Sequence, residues 1–263
     1  STSLKIDASL PLLIKKQGLG TGELLANFEV DSFSLNTLGA LSPNSLAGNL
    51  SANGTVKGPL SALDTSFSFS LKNPQFTNLR LQEQWRGQFI GSAGGGGKLQ
   101  MNSEKAAVPS TISAQLRNDW SLNDLIIRRL GGQIAVTRNK ESFDWIAQDF
   151  RLDRIEIAIP PEKSFKRIFG KLSGKGRFGF KPLFANGQIN LGYPRLIGLK
   201  LKEAQLEGSY SKKTYSLKGE LFPLDAGQIS LTADGHVDGS LWTRTELKKV
   251  SPSWIVNTAL QLP

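Results

Sequence analysis

Short runs in which apolar and polar residues alternate one for one recur along almost the whole chain. Ser66 to Leu71 sets serines against Phe67, Phe69 and Leu71, so a strand here has one apolar and one polar face. The same period of two appears at Leu79 and Leu81, Leu99 and Met101, Ile112 and Leu116, Ile134 and Val136, Ile155, Ile157 and Ile159, Ile189 and Leu191, Leu199 and Leu201, and Ile229 and Leu231. Turn-forming residues punctuate these runs: Asn53-Gly54, Asn73-Pro74, Gly94 to Gly97, Gly131-Gly132, Asn186-Gly187, Asp225-Ala226-Gly227 and Asp234-Gly235. Most of them read as hairpin connections between meandering strands. Two stretches fit strands poorly. Leu122, Leu125, Ile126 and Leu130 are spaced helically with Gly131 as a C-terminal cap, which predicts a short helix over 121–130, and Lys163 to Phe169 is compatible with a helical turn.

Internal repetition sharpens the picture. Gly48-Asn49-Leu50-Ser51-Ala52-Asn53-Gly54 matches Gly170-Lys171-Leu172-Ser173-Gly174-Lys175-Gly176. Phe69, Leu71, Pro74, Leu79 and Leu81 then match Ile189, Leu191, Pro194, Leu199 and Leu201 at constant spacing. A shorter echo pairs Gly132-Gln133-Ile134-Ala135-Val136-Thr137 with Gly227-Gln228-Ile229-Ser230-Leu231-Thr232. Repeated strand modules imply an elongated sheet built by addition, with repeats near 48–101 and 170–221. The predicted fold is all-β: one continuous, open, curled body over 1–263.

Composition adds constraints. Hydrophobic residues make up 39% of 263 positions and Gly 27 of them, which suits a folded chain of many strands and tight turns. With no cysteine there is no disulfide framework, thiolate metal site or cysteine nucleophile. The basic excess, 32 Lys and Arg against 22 Asp and Glu, is spread as doublets: Lys15-Lys16, Arg128-Arg129, Lys166-Arg167, Lys212-Lys213 and Lys248-Lys249. Such doublets suit a solvated face and guarded strand edges, or contact with anionic headgroups; no aromatic-interleaved motif points to nucleic acid. No apolar run approaches the roughly 18 residues of a membrane-spanning helix, so an anchor, if the protein has one, lies outside this segment.

Catalytic motifs are weak. His236 is the single histidine and sits beside Asp234, Gly235 and Asp238 without a nucleophile elbow or a second histidine for a metal. The pairs Asp149 with Asp153 and Asp234 with Asp238 lack a calcium-loop ligand series, and Gly94 to Gly97 lacks the Lys-Ser/Thr of a phosphate loop. Trp85, Trp120, Trp145, Trp242 and Trp254 are scattered and read as packing residues. The expectation is a protein that is not an enzyme and needs no metal or cofactor, with the apolar face as its functional candidate. That face comprises Phe67, Phe69, Leu71, Leu79, Leu81, Ile134, Val136, Ile189, Leu191, Leu199, Leu201, Ile229 and Leu231. Alternation alone does not distinguish this face from a set of residues filling a closed sandwich core.

The repeat grammar of Leu-Ser-x-x-Gly, then Gly58-Pro59-Leu60, then strands punctuated by Gly-Gln-Ile, resembles the TamB branch of the AsmA-like lipid-transfer proteins. The likeness is densest from Gly131 to Leu262, in Phe143-Asp144-Trp145, Arg151 to Pro161, Ile168 to Gly174 and Leu206 to Tyr210. There it resembles the cyanobacterial members, relatives of a chloroplast inner-envelope import component. The resemblance implies a curled sheet spanning the periplasm, anchored at the inner membrane, with phospholipid or glycolipid acyl chains sliding along an apolar groove. It also implies an outer-membrane barrel protein of the Omp85 type as a partner reached through other regions. Two rivals remain at this stage: a scaffold for outer-membrane protein assembly by strand addition at exposed edges, and a β-helix enzyme or adhesin acting on polysaccharide.

Overall fold

A strand with one apolar face must pair its backbone sideways and leave that face to a partner or to solvent, and the chain does this by antiparallel meander. The computed structural model describes residues 3–15, 18–40, 46–104, 106–158, 165–196, 199–224, 227–236 and 255–261. In order these form β1 (Ser3–Ser9), β2 (Leu12–Lys15), β3 (Gly18–Thr21), β4 (Leu24–Ser34), a 3-10 turn over Leu35–Ala40, β5 (Leu46–Gly58), β6 (Asp64–Phe76) and β7 (Leu79–Leu81). There follow β8 (Trp85–Gly91), β9 (Gly97–Ser103), β10 (Thr111–Leu116), β11 (Leu122–Arg129), β12 (Gly132–Asn139), β13 (Ser142–Arg151) and β14 (Ile155–Ala158). The last are β15 (Phe165–Phe180), β16 (Leu183–Leu196), β17 (Leu199–Ser211), β18 (Thr214–Pro223), β19 (Gln228–His236) and β20 (Ile255–Gln261). Eighteen of these strands belong to one sheet, and β2 with β3 makes a separate hairpin.

The helix expected over 121–130 is instead strand β11, hydrogen-bonded to β10 on one side and β12 on the other. A helix there would strip both neighbours of their ladder, and Leu125 and Ile127 simply alternate with Asp124 and Ile126. Likewise Phe165 to Phe169 is extended at the start of β15; Lys163 and Ser164 lie outside the described residues. Asn53-Gly54, Asn186-Gly187 and Asp234-Gly235 are not turns but lie inside β5, β16 and β19. Asn73-Pro74 is a bulge within β6, while Gly131-Gly132 does sit at a hairpin.

The repeat has a structural counterpart. Gly48 and Gly170 have φ of +124° and +126°, and a Cβ at either would press on the backbone of the bulges Asn73-Pro74 and Tyr193-Pro194 of the next strand. One strand earlier, β4 bulges between Val30 and Phe33 and β13 between Ala147 and Phe150. At each bulge the amide of a left-handed residue, Ser32 or Asp149, donates to the hydroxyl of Ser51 (3.1 Å) or Ser173 (3.0 Å). The serine of the Leu-Ser motif is therefore a bulge acceptor, and the two modules bend the sheet by the same device.

Beyond these bulges, β7 prolongs the line of β8, and β14 prolongs that of β13. β7 and β14 pair directly, Leu81 with Ile155 and Leu79 with Ile157. Before the bulges the two lines part, and β9 to β12 fill the gap. Hydrogen bonding thus closes a ring from β7 through β8 to β13 and back to β14, which forces the six strands β8 to β13 into an arch with a closed apex. The accessible surface of the whole chain is 16960 Å², against roughly 11,300 Å² expected for a compact monomer of this mass. No side chain among the described residues is less than 2% exposed, so the sheet is open and not a closed sandwich.

Candidate functional site: an uncovered apolar face and its sealed arch

Residues directly opposite one another in an antiparallel ladder share a face, so the registers trace that face across strands. One row runs Ile6, Phe28, Gly54, Phe67, Phe89, Leu99, Ala114, Leu125, Val136, Trp145, Gly176, Gly187, Gly208, Leu217, Ala233. Every member is apolar or glycine. Its neighbour two residues along holds Val30, Phe69, Met101, Ile112, Ile134 and Ile189 and is equally free of polar side chains. The row between them on the other face reads differently: it is polar from Lys5, Glu29, Asn53, Ser68, Gln88 and Gln100 to Ser113, apolar at Ile126, Ala135 and Ile146 in β11 to β13, and polar again at Lys175, Gln188, Glu207 and Lys218. Fourteen inter-strand steps of about 4.8 Å give the apolar rows a contour near 67 Å.

Of the residues expected on this face, Phe67, Phe69, Leu71, Ile134, Val136, Ile189, Leu191 and Ile229 occupy it by register. Leu79, Leu81 and Leu201 lie beyond the bulges, where Leu79 is 40% exposed and Leu201 is buried. Leu199 and Leu231 belong to β17 and β19, but their side chains fall outside the described residues.

Glycines shape the surface. Phe69 lies over Gly87, Phe89 over Gly97, and the indole of Trp145 across Gly176 and Gly187; a Cβ at any of these would sit 2.6 to 2.8 Å from the ring. The rings lie along the sheet rather than standing from it, which leaves a shallow, smooth apolar floor. Phe67 joins Phe28 and Phe89 at 6.0 and 5.2 Å between ring centroids. Trp120, half exposed in the β10–β11 turn, stacks on Phe89 at 6.3 Å. Gly95 and Gly96, read from sequence as part of a hairpin connection, abut the backbone of Arg117 and Asn118 in the adjacent turn. Trp242 and Trp254 lie outside the described residues.

At the apex of the arch the same face turns polar and closes. Trp85, Ser103, Ser110, Arg129, Phe150 and Ile155 are all buried there, as is Glu83. Arg129 forms an ion pair with Glu83, with side-chain exposures of 4% and 2%. The expectation of solvated basic doublets therefore fails for Arg129, although Arg128 beside it is exposed. Burial pulls the Arg129 guanidinium down to about 10, so it stays charged at neutral pH. Behind the apex, Glu156 is 7% exposed and accepts from Arg80 Nε (2.6 Å) and Gln82 Nε2 (2.5 Å), with Arg167 at 3.7 Å. Desolvation opposes its ionisation, yet the Arg80 and Gln82 bonds and the two arginine charges outweigh it and lower its pKa. Neither pair was visible in the sequence, because their partners meet only through the β7–β14 closure and the arch.

Two open hollows of about 910 and 710 Å³ lie on the opposite, polar face over β13 to β18, and both are lined by Lys175, Gln188, Glu207 and Lys218. His236 ends β19 opposite Thr214, and Asp149 sits in its bulge. No group of three acidic or histidine side chains converges as a metal site among the described residues. No family model, curated protein or solved structure matches the chain.

Proposed function

We propose that this chain is a segment of a periplasm-spanning bridge that shields lipid acyl chains on its apolar face during transport between inner and outer membranes, without chemical catalysis. The observation that carries the reading is the pair of uninterrupted apolar rows across fifteen strands, which no second layer among the described residues packs over. Bare apolar surface of that extent is costly in water, and hydrocarbon chains of phospholipid or glycolipid cover it at roughly 0.8 kcal/mol per buried methylene. Native mass spectrometry of the purified protein tests this: co-purifying phospholipid or glycolipid supports it, and a lipid-free protein that takes up none from vesicles refutes it.

A specific observation favours one second reading, assembly of outer-membrane proteins by strand addition. β10 has both edges occupied, by β9 and β11, whereas among the described registers β1 pairs only with β4 and carries Leu4 and Ile6 at 63% and 65% exposure. Such an edge accepts a client strand. Crosslinking from β1 to an unfolded barrel strand distinguishes this role from lipid carriage.

A further inference from the structure

The arch of β8 to β13 differs from the rest of the apolar face in having a floor and a mouth. Its floor is the buried apex, where Trp85, Phe150 and the Glu83–Arg129 pair are buried at the end next to the β7–β14 ladder. From Gly97 at the mouth to Ser103 at the apex β9 advances six residues, about 20 Å at 3.3 Å each. One leaflet of a bilayer holds its chains in about 15 Å of hydrocarbon, so the arch has the depth of a single acyl chain. The wall between is apolar throughout, with Met101, Ala114 and Ile127 in successive strands.

The mouth carries a cation on the inner face. Arg138 is opposite Phe143 in the β12–β13 ladder and lies over its ring at 5.7 Å. Its Nε donates to the carbonyl of Lys140 (2.9 Å) and its Nη1 to the Ser121 hydroxyl (3.0 Å). No carboxylate forms an ion pair with it among the described residues. The nearby Asp119 carboxylate accepts from Ser121 and is influenced by Arg117 as well as Arg138, which leaves net positive charge at the mouth.

We propose that the β8–β13 arch is a blind-ended site for one acyl chain with an anionic head, seated tail-first with its head at Arg138 and its tail end against the sealed apex. The site rests on the reading of the apolar face as an acyl-chain surface, and it makes this part of the sheet a holding position rather than a through passage.

A series of straight-chain fatty acids, from decanoic to docosanoic acid, bound to the protein and followed by calorimetry tests it. Affinity should rise about four-fold per added methylene and break near hexadecanoic acid, where the tail reaches the apex. Arg138→Gln should weaken the acids about ten-fold and leave their methyl esters unchanged, and Arg138→Lys should restore most of the loss. An affinity that climbs without a break, or an equal loss for acid and ester, overturns the arch site. If the fatty acids bind without a break while native mass spectrometry still shows two-chain phospholipid, the arch site falls and the wider reading of the face stands. If no acyl chain of any kind binds, both fall.

Discussion

Removing one partner of the buried ion pair at the apex is the sharpest perturbation of the fold. In Glu83→Ala, Arg129 keeps its charge at 4% side-chain exposure and loses the carboxylate that compensates it. Breaking a buried pair in this way costs about 3–5 kcal/mol, a large part of the roughly 5–15 kcal/mol that holds a domain folded. Replacing both residues, Glu83→Leu with Arg129→Met, removes the charges and their desolvation together and should be neutral or stabilising by about 1–4 kcal/mol. Urea unfolding followed by tryptophan fluorescence reads both variants, with the slope against denaturant checked for constancy. In the single variant the β7–β14 amides should also lose hydrogen-exchange protection first, since the pair sits against the ladder they close. An unfolding free energy for Glu83→Ala within about 1 kcal/mol of the parent's, or a double variant as unstable as the single one, would refute the account of the apex.

Gly170→Ala places a Cβ at 3.0 Å from the Gly192 carbonyl at φ +126°, and should cost about 1–3 kcal/mol in thermal or chemical unfolding. Ser51→Ala and Ser173→Ala each free a bulge amide and should cost about 1 kcal/mol, near-additively because they lie in separate modules. Glu156 has a folded pKa below its unfolded value, so its contribution is present above the unfolded pKa and is lost as pH falls through the folded one. The urea midpoint of the parent should therefore drop more steeply below about pH 4.5 than that of Glu156→Gln.

Much of the fold was legible because one signal, the alternation of apolar and polar residues, both names a strand and assigns its faces. Phe67, Phe69, Ile134, Val136 and Ile189 went to one face on that basis, and the registers keep them there. Alternation cannot tell a glycine that makes a turn from a glycine that lies beneath an aromatic ring. Asn186-Gly187 was misread for this reason, since Gly187 is small to admit Trp145 from a strand distant in sequence. Leu122 to Leu130 satisfied a helical spacing, but pairing demands from β10 and β12 decided the outcome. The apex was illegible because Glu83 and Arg129 look like ordinary surface charges until the chain has arched.

Photo-crosslinking of lipid along alternate positions of single strands tests the central claim most directly. A diazirine side chain at Phe67, Val136, Ile189 or Leu217 faces the apolar rows, and one at Ser68, Thr137, Gln188 or Lys218 faces away. The account predicts lipid adducts at the first set, few at the second, and loss of adducts in Leu191→Asp with the fold intact by circular dichroism. Equal labelling of both sets, or a Leu191→Asp protein that is labelled as the parent is, would contradict it.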